Sequence, residues 1–466
     1  MGKSFVAGCT ELLQFLSSTK GDLANVTGPP SMLAPLSVVE LGQCWAQRPA
    51  VFAAPALEPD AGRRSLLVLR MFLIALRSQL YVGGSPTSSI KKPLNAFLGE
   101  LFLAEWTDQV NHGAKSPASS VRSSLSSQTN DQNISIPSPS SSSSSSSSSR
   151  CGCGTDRITT RLVAEQVSHH PPITAMHIAD NVHGVRADGY ARVEMTFSGA
   201  VQVRQVGHAI VRIDAYNEEY LIPLPDITVR GFLTGRLYPE ITGTYYVIGS
   251  TGYTTEVKFS GKGFAWGGRQ NAFVATVYGP RSNERVSDAK LSKGSSNFLK
   301  DGRERLYVID GVWSQSWKVY DARTGLVIET YNVDAPENAP APIALPETAA
   351  QDPWESRRAW SGVLDALNKG DMSQTVAEKS KIEQAQRRMR AKEVADGRAW
   401  TPLFFTSHGH DGRGTFHRLA ASVAGDSPKL QLHDDRTKGV WRVNSGRIRN
   451  MQRPFRGRLT PLGDQP

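Results

Sequence analysis

Cysteine is scarce: Cys9, Cys44, Cys151 and Cys153 are the only four in 466 residues. They are too few and too scattered for a disulfide framework, which fits a reducing compartment. No stretch reaches the roughly eighteen apolar residues needed to cross a bilayer, and the N-terminus has Lys3 but no apolar leader. A soluble, cytoplasmic chain is therefore expected, in which Asn25-Val26-Thr27 and Asn133-Ile134-Ser135 would not meet the glycosylation enzyme. Cys, Asp and His do not recur at metal-ligand spacing, and no Gly-x-Ser-x-Gly elbow surrounds a serine. These absences argue against a metal, a cofactor and a catalytic triad. The net charge is +10, yet zinc-finger and RNA-recognition signatures and a basic arm are all missing. Anionic membrane surfaces fit this charge better than nucleic acid.

Apolar residues make up 39% of the chain and there are nine tryptophans, enough for a sizeable core. Phe5, Cys9, Leu12, Leu13 and Leu16 lie on one face of a helix. The pattern alone suits a core helix best, with a mobile lid or a sensor of loosely packed lipid as the other readings. A second helix is expected over Ser37–Phe52 with Trp45 on its apolar side, and a third over Arg64–Leu80. Between Gly113 and Asp156 the chain turns Ser-rich, including an unbroken run from Ser140 to Ser149. Such a composition buries too little to offset ordering entropy, so a disordered insertion is expected.

From Arg161 to about Asp321 hydrophobicity alternates. Val193, Met195 and Phe197 oppose Arg192, Glu194 and Thr196. Val201, Val203, Gly207, Ala209 and Val211 share a face with Gln205, its one polar member. Further strands are expected at Thr244–Ile248, Thr255–Phe259, Ala272–Tyr278 and Leu306–Ile309, so the fold should be an antiparallel barrel or sandwich. After a proline-rich crossover from Pro336 to Pro346 two helices follow. One carries Trp360, Val363, Leu364 and Leu367 and stops at Gly370; the next starts at Asp371 with Gln374 three residues on. Beyond about Phe405 the chain is basic, Gly-rich and weakly patterned.

Three constellations carry chemistry. In Glu165-Gln166-Val167-Ser168-His169-His170-Pro171-Pro172 the prolines fix φ and remove two donors, so a strand should stop with both imidazoles at its rim. Protonated histidines donate from both nitrogens and suit a phosphate dianion. Lys91-Lys92-Pro93-Leu94-Asn95-Ala96-Phe97-Leu98-Gly99-Glu100 reads as a non-helical loop with a basic entry. Lys379, Glu383 and Arg387 fall at i, i+4 and i+8 on one helix face, a spacing that by itself describes solvated ion pairs.

The histidine and lysine strings, in this order, resemble the two signatures of the oxysterol-binding protein family of lipid-transfer proteins. The likeness runs from about residue 10 to residue 405 and includes Gly21-Asp22-Leu23, Pro29-Pro30, Ser78-Gln79, Glu355-Ser356-Arg357 and Ala359-Trp360. It is greatest with short fungal members that lack a pleckstrin-homology domain. The resemblance implies an α+β fold, in which a large, near-complete antiparallel β-barrel encloses a hydrophobic tunnel, with an N-terminal lid and a C-terminal helical subdomain. The lid would be residues 1–28, a helical lead-in 29–110, the insertion 111–158, the barrel 159–335, and the C-terminal subdomain and tail 336–466.

It further implies a monomeric, non-enzymatic exchanger of sterol for phosphatidylinositol 4-phosphate, peripherally associated with Golgi, endoplasmic reticulum or other membranes. A phosphatidylserine exchanger and a sensor without net transport are the alternatives. By the resemblance His169, His170 and Arg387 would hold the 4-phosphate. Lys92 and the backbone near Leu94 and Asn95 would hold the phosphodiester, and Lys379 and Glu383 the inositol hydroxyls. Gln79 and Gln205 would lie near a sterol hydroxyl, with Leu12, Leu13 and Leu16 closing the tunnel. Leu80 and Ala191 stand where sterol-binding members of this type have Tyr and Asn, so the sterol hydroxyl would find fewer partners here.

Overall fold

The computed structural model describes residues 32–82, 85–88, 90–110, 156–232, 236–261, 268–281, 302–423 and 430–464. The expected N-terminal helix with Leu12, Leu13 and Leu16, and nearly all of the Ser-rich segment, lie outside them. Residues 109–157 form a separate unit, described only at its two ends.

Alternating side chains build one large sheet of fifteen strands among the described residues. Its strands begin with β3 (Leu101–Val110), β4 (Asp156–His169), β5 (Pro172–Asp180), β6 (Val185–Phe197), β7 (Val201–Ile213) and β8 (Glu218–Ile222). The side hairpin β9 (Ile227–Arg230) and β10 (Tyr238–Ile241) joins β7, and β11 (Gly243–Gly249), β12 (Thr254–Ser260) and β13 (Ala272–Arg281) continue the main path. The sheet ends with β14 (Arg303–Val312), β15 (Ser316–Asp321), β16 (Val327–Asn332) and β17 (Ile343–Ala344), the last pairing with β3. The meander is antiparallel and remains open, with β16 and β17 as its edges. All four strands expected from Thr244 to Ile309 are present, each slightly longer than its sequence pattern.

Gly207 shows how tightly β6 and β7 approach. It has φ 147°, and a Cβ there would lie 2.1 Å from the carbonyl oxygen of Tyr190. Only glycine fits that spacing without moving the backbone.

The main core lies between the sheet and α3 (Ala61–Leu80), whose Val68, Leu69, Phe72 and Leu73 are almost fully buried. Each such side chain stabilises the fold by about 1.5–3 kcal/mol. The Asp60 carboxylate caps α3 by accepting from Arg63 N at 2.7 Å. The single helix expected over Ser37–Phe52 is broken into a 3-10 turn, Val38–Gly42, and two helices, α1 (Gln43–Ala46) and α2 (Pro49–Leu57). Pro49 causes the break, because it lacks an N–H and pushes Arg48 out of the helical region, to φ −127° and ψ 79°.

A second core joins the start of the sheet to the C-terminal region through Leu94, Phe97, Leu101, Trp354, Trp360 and Phe404. There α4 (Ser356–Ala359) leads into α5 (Ser361–Lys369), which stops at Gly370 with φ 72°. Next comes α6 (Met372–Ala395), capped by Asp371 accepting from Gln374 N at 2.9 Å. The weakly patterned tail forms a small sheet of β18 (Phe405–His408) and β19 (Val440–Val443), with α7 (Gly414–Ala420) between them.

Candidate headgroup and tunnel site

Hydrogen bonds strap the two signature strings together. Gly99 N donates to Gln166 O and Gln166 N donates to Glu100 O, both at 2.9 Å. Lys92-Pro93-Leu94 is not the loop its proline suggested. It is a short strand, β2, parallel to β1 (Leu33–Ser37). Pro93 is tolerated because this is a two-stranded edge pair. Gly99, with φ 83°, lets the chain pass Trp400, where a Cβ would sit 2.1 Å from the indole.

Two buried carboxylates hold this assembly. Glu100 accepts from Phe97 N at 3.0 Å and from Trp360 Nε1 at 2.9 Å. Glu165 accepts from Leu403 N at 2.6 Å and Phe404 N at 2.8 Å, fastening the C-terminal region to the histidine string. Burial pushes both carboxyls up to about 7. Gln166 is also structural, donating to Ser168 O and accepting from Thr174.

β4 ends at His169 and β5 begins at Pro172, with His170 and Pro171 as the turn. The imidazoles meet edge to face with centroids 4.7 Å apart. His169 Nδ1 lies 3.1 Å from Ala96 O. A carbonyl only accepts, so Nδ1 carries the proton and Nε2 is the acceptor in the neutral ring. Burial first, then the neighbouring His170, pulls the His169 pKa below its ordinary value. These surroundings favour neutral His169, and an arriving anion would reverse this.

His169, His170, Asn95, Glu383 and Arg387 converge on one cavity of about 680 Å³. Lys379 is buried behind it and paired with Glu383. Leu94 is fully buried in the second core and lines neither cavity. Lys92 lines a second cavity of about 250 Å³, which shares Asn95 as a wall. This second cavity is lined mainly by aliphatic side chains such as Leu41, Val193, Val203, Ile227 and Leu237. Gln79 Nε2 donates to Gln205 Oε1 at 3.2 Å, and Gln205 Nε2 donates to Pro225 O at 2.7 Å. Past these glutamines a hollow of about 80 Å³ continues toward Trp45. Leu80 and Ala191 line the second cavity and add no polar group to it.

The sequence reading missed Arg390, Trp400 and Lys438, which line the larger cavity. Arg390 follows Arg387 by three residues on the same helix, a spacing that could have revealed it. Its guanidinium stacks 4.5 Å over the Trp400 ring, and among the described residues its Nε and Nη1 have no hydrogen-bond partner. Lys438 lies in the weakly patterned tail, where nothing local marked it.

The family model described as oxysterol-binding protein matches residues 11–362. The chain belongs to the oxysterol-binding protein family. Protein kes1 of Schizosaccharomyces pombe is 30% identical, across 84% of this chain and 85% of that protein. Protein KES1 of Mycosarcoma maydis is 31% identical, across 90% and 92%. The probable transporter efuK of Hormonema carpetanum is 38% identical over 97% of this chain, which spans 54% of that longer protein. The fold of this family member is also that of the Osh1 ORD domain crystallised with ergosterol, at TM-score 0.56 and 18% identity, covering 89% and 90% of the two chains. The Saccharomyces cerevisiae Osh3 ORD crystallised with PI(4)P gives the same TM-score and identity, covering 92% and 93%.

Proposed function

We propose that this chain is a lipid exchanger that carries sterol or phosphatidylinositol 4-phosphate, one at a time, between membranes without chemical conversion. The observation that carries this reading is the pairing of a cation-lined cavity with an apolar one across Asn95. A phosphoinositide needs both, its phosphates on His169, His170 and Arg387 and its acyl chains among the aliphatic residues. A phosphomonoester gains charge-assisted bonds from Arg387 and from imidazoles that protonate as it binds. Glu383 and Lys379 offer an acceptor and a donor to the inositol hydroxyls, and Lys92 a cation to the phosphodiester. A sterol would fill the apolar cavity and turn its single hydroxyl toward Gln79 and Gln205.

The ligands named for the Osh1 and Osh3 structures support this choice of lipids. Among the described residues no helix is long and apolar enough to cross a membrane, which accords with peripheral action at Golgi, endoplasmic reticulum or other anionic membranes. Native mass spectrometry of the purified protein should find one sterol or one phosphoinositide per chain. Transfer between two vesicle populations should then proceed for both. Co-purified phosphatidylserine, without sterol uptake, would replace sterol as the second cargo.

A further inference from the structure

The tail that escaped the sequence pattern delivers Lys438 to the histidine hairpin. Lys438 Nζ donates to Ser168 Oγ at 3.0 Å, one residue before His169, and the side chain lines the same cavity as His169, His170 and Arg387. Among the described residues no carboxylate lies within ion-pair distance of it, although many other lysines and arginines of the chain have one. An ammonium beside two imidazoles and a guanidinium raises the local demand for an anion.

The backbone at this point is also unusual. Lys438 has φ 57°, a conformation disfavoured for a residue with a Cβ other than Asn or Asp. The turn is held from several sides. Gly439 N donates to Asp434 O at 2.7 Å, Trp441 Nε1 to Thr437 O at 2.8 Å, and Ser407 Oγ to Lys438 O. Glycine would adopt this backbone more readily, so the fold keeps a lysine there against its conformational preference.

We infer that Lys438 is a further phosphomonoester-binding residue, contributed by the C-terminal region to the cavity of the histidine hairpin. The inference rests on the headgroup reading above. Its ligand chemistry is a dianionic phosphate ester beside inositol hydroxyls, as part of a membrane lipid or as the free headgroup. Release of Nζ from Ser168 Oγ would let it reach the phosphate, in company with Arg387 and the protonated imidazoles.

The test uses the full chain with Lys438→Gln, Lys438→Arg and the double His169→Ala, His170→Ala variant. Binding of soluble inositol 1,4-bisphosphate is measured by calorimetry. Extraction is measured from phosphatidylcholine vesicles doped with phosphatidylinositol 4-phosphate or with sterol. Lys438→Gln should weaken headgroup binding and phosphoinositide extraction about tenfold, the worth of one charge-assisted bond. Sterol extraction should be unchanged, and Lys438→Arg should restore most of the loss. Unchanged headgroup binding by Lys438→Gln, with the double histidine variant impaired, would overturn the inference alone. An equal loss of sterol extraction would show a merely structural turn and would overturn it too. A parent protein that binds no phosphomonoester would overturn the headgroup reading and this inference together.

Discussion

The cavity at the histidine hairpin gathers two imidazoles, two guanidinium groups, an ammonium and the Glu383 carboxylate beside aromatic and aliphatic side chains, whereas the cavity behind Asn95 is mainly aliphatic, with two glutamines bonded to each other and Lys92 at its wall. The first gathers short stretches from distant parts of the chain, the Asn95 and His169 stretches strapped through Gly99 and Gln166, with α6 and Lys438 completing it. The second is lined by the end of α3, by the neighbouring strands β6, β7 and β9, and by the stretch from Ile90 to Ala96. Charged recognition thus depends on a few fixed residues that substitution can remove one by one. Apolar recognition is spread over many side chains and should tolerate single changes.

Replacing both His169 and His170 by Ala is the strongest way to break this contrast. Two charge-assisted bonds at about 1.5–3 kcal/mol each would be lost, so phosphatidylinositol 4-phosphate extraction should fall more than about a hundredfold. Sterol extraction from the same vesicles should stay near the parent value.

Glu165→Ala comes next and acts on stability. It leaves Leu403 N and Phe404 N without an acceptor in a buried site, a cost of about 2–4 kcal/mol. Urea unfolding should show a lower midpoint, and phosphoinositide binding should suffer more than sterol binding, because Glu165 fastens the region that bears Lys438.

Gln205→Leu probes the other cavity. It removes the acceptor of Gln79 and one polar site for a sterol hydroxyl, so sterol affinity should drop about fivefold, by roughly 1 kcal/mol, while headgroup binding is unchanged. Titration with a fluorescent sterol would measure the first, and calorimetry with inositol 1,4-bisphosphate the second.

The smallest effect is the dependence on pH. Burial and the neighbouring His170 hold the His169 pKa below its ordinary value, and a phosphate dianion favours its protonated form. Binding therefore takes up a proton, and affinity for inositol 1,4-bisphosphate should rise a few-fold as pH falls from about 8 to about 6.5. Below about 6 the phosphate itself begins to lose its second charge. Sterol affinity should be flat over the range. For folding the sign is opposite: a histidine with a depressed pKa contributes stability above about 6.5 that is lost as pH falls further.

These contrasts also explain how much could be read from the sequence. The strands from Thr244 to Ile309 were legible because alternation is a local signal of period two, and α6 was legible from Asp371 and Gln374 at its start. The hairpin at His169 was legible from Pro171 and Pro172. By contrast β2 looked like a loop, since its pairing with Leu33–Ser37 is made across more than fifty residues and overrides the local meaning of Pro93. The expected helix over Ser37–Phe52 ignored the boundary that Pro49 imposes. Lys438 was invisible because its role depends on a turn fixed by Ser407, Asp434 and Thr437, none of which is a motif on its own.

On the proposed exchange, sterol and phosphoinositide compete for one apolar cavity although their polar ends seek different walls. Protein loaded with a fluorescent sterol can be mixed with phosphatidylcholine vesicles doped with phosphatidylinositol 4-phosphate, while bound sterol and extracted phosphoinositide are followed together. Competition for one cavity means that one sterol should leave for each phosphoinositide taken up, and that the His169→Ala, His170→Ala variant should keep its sterol. Protein holding both lipids at once, or sterol retained while phosphoinositide is bound, would contradict it.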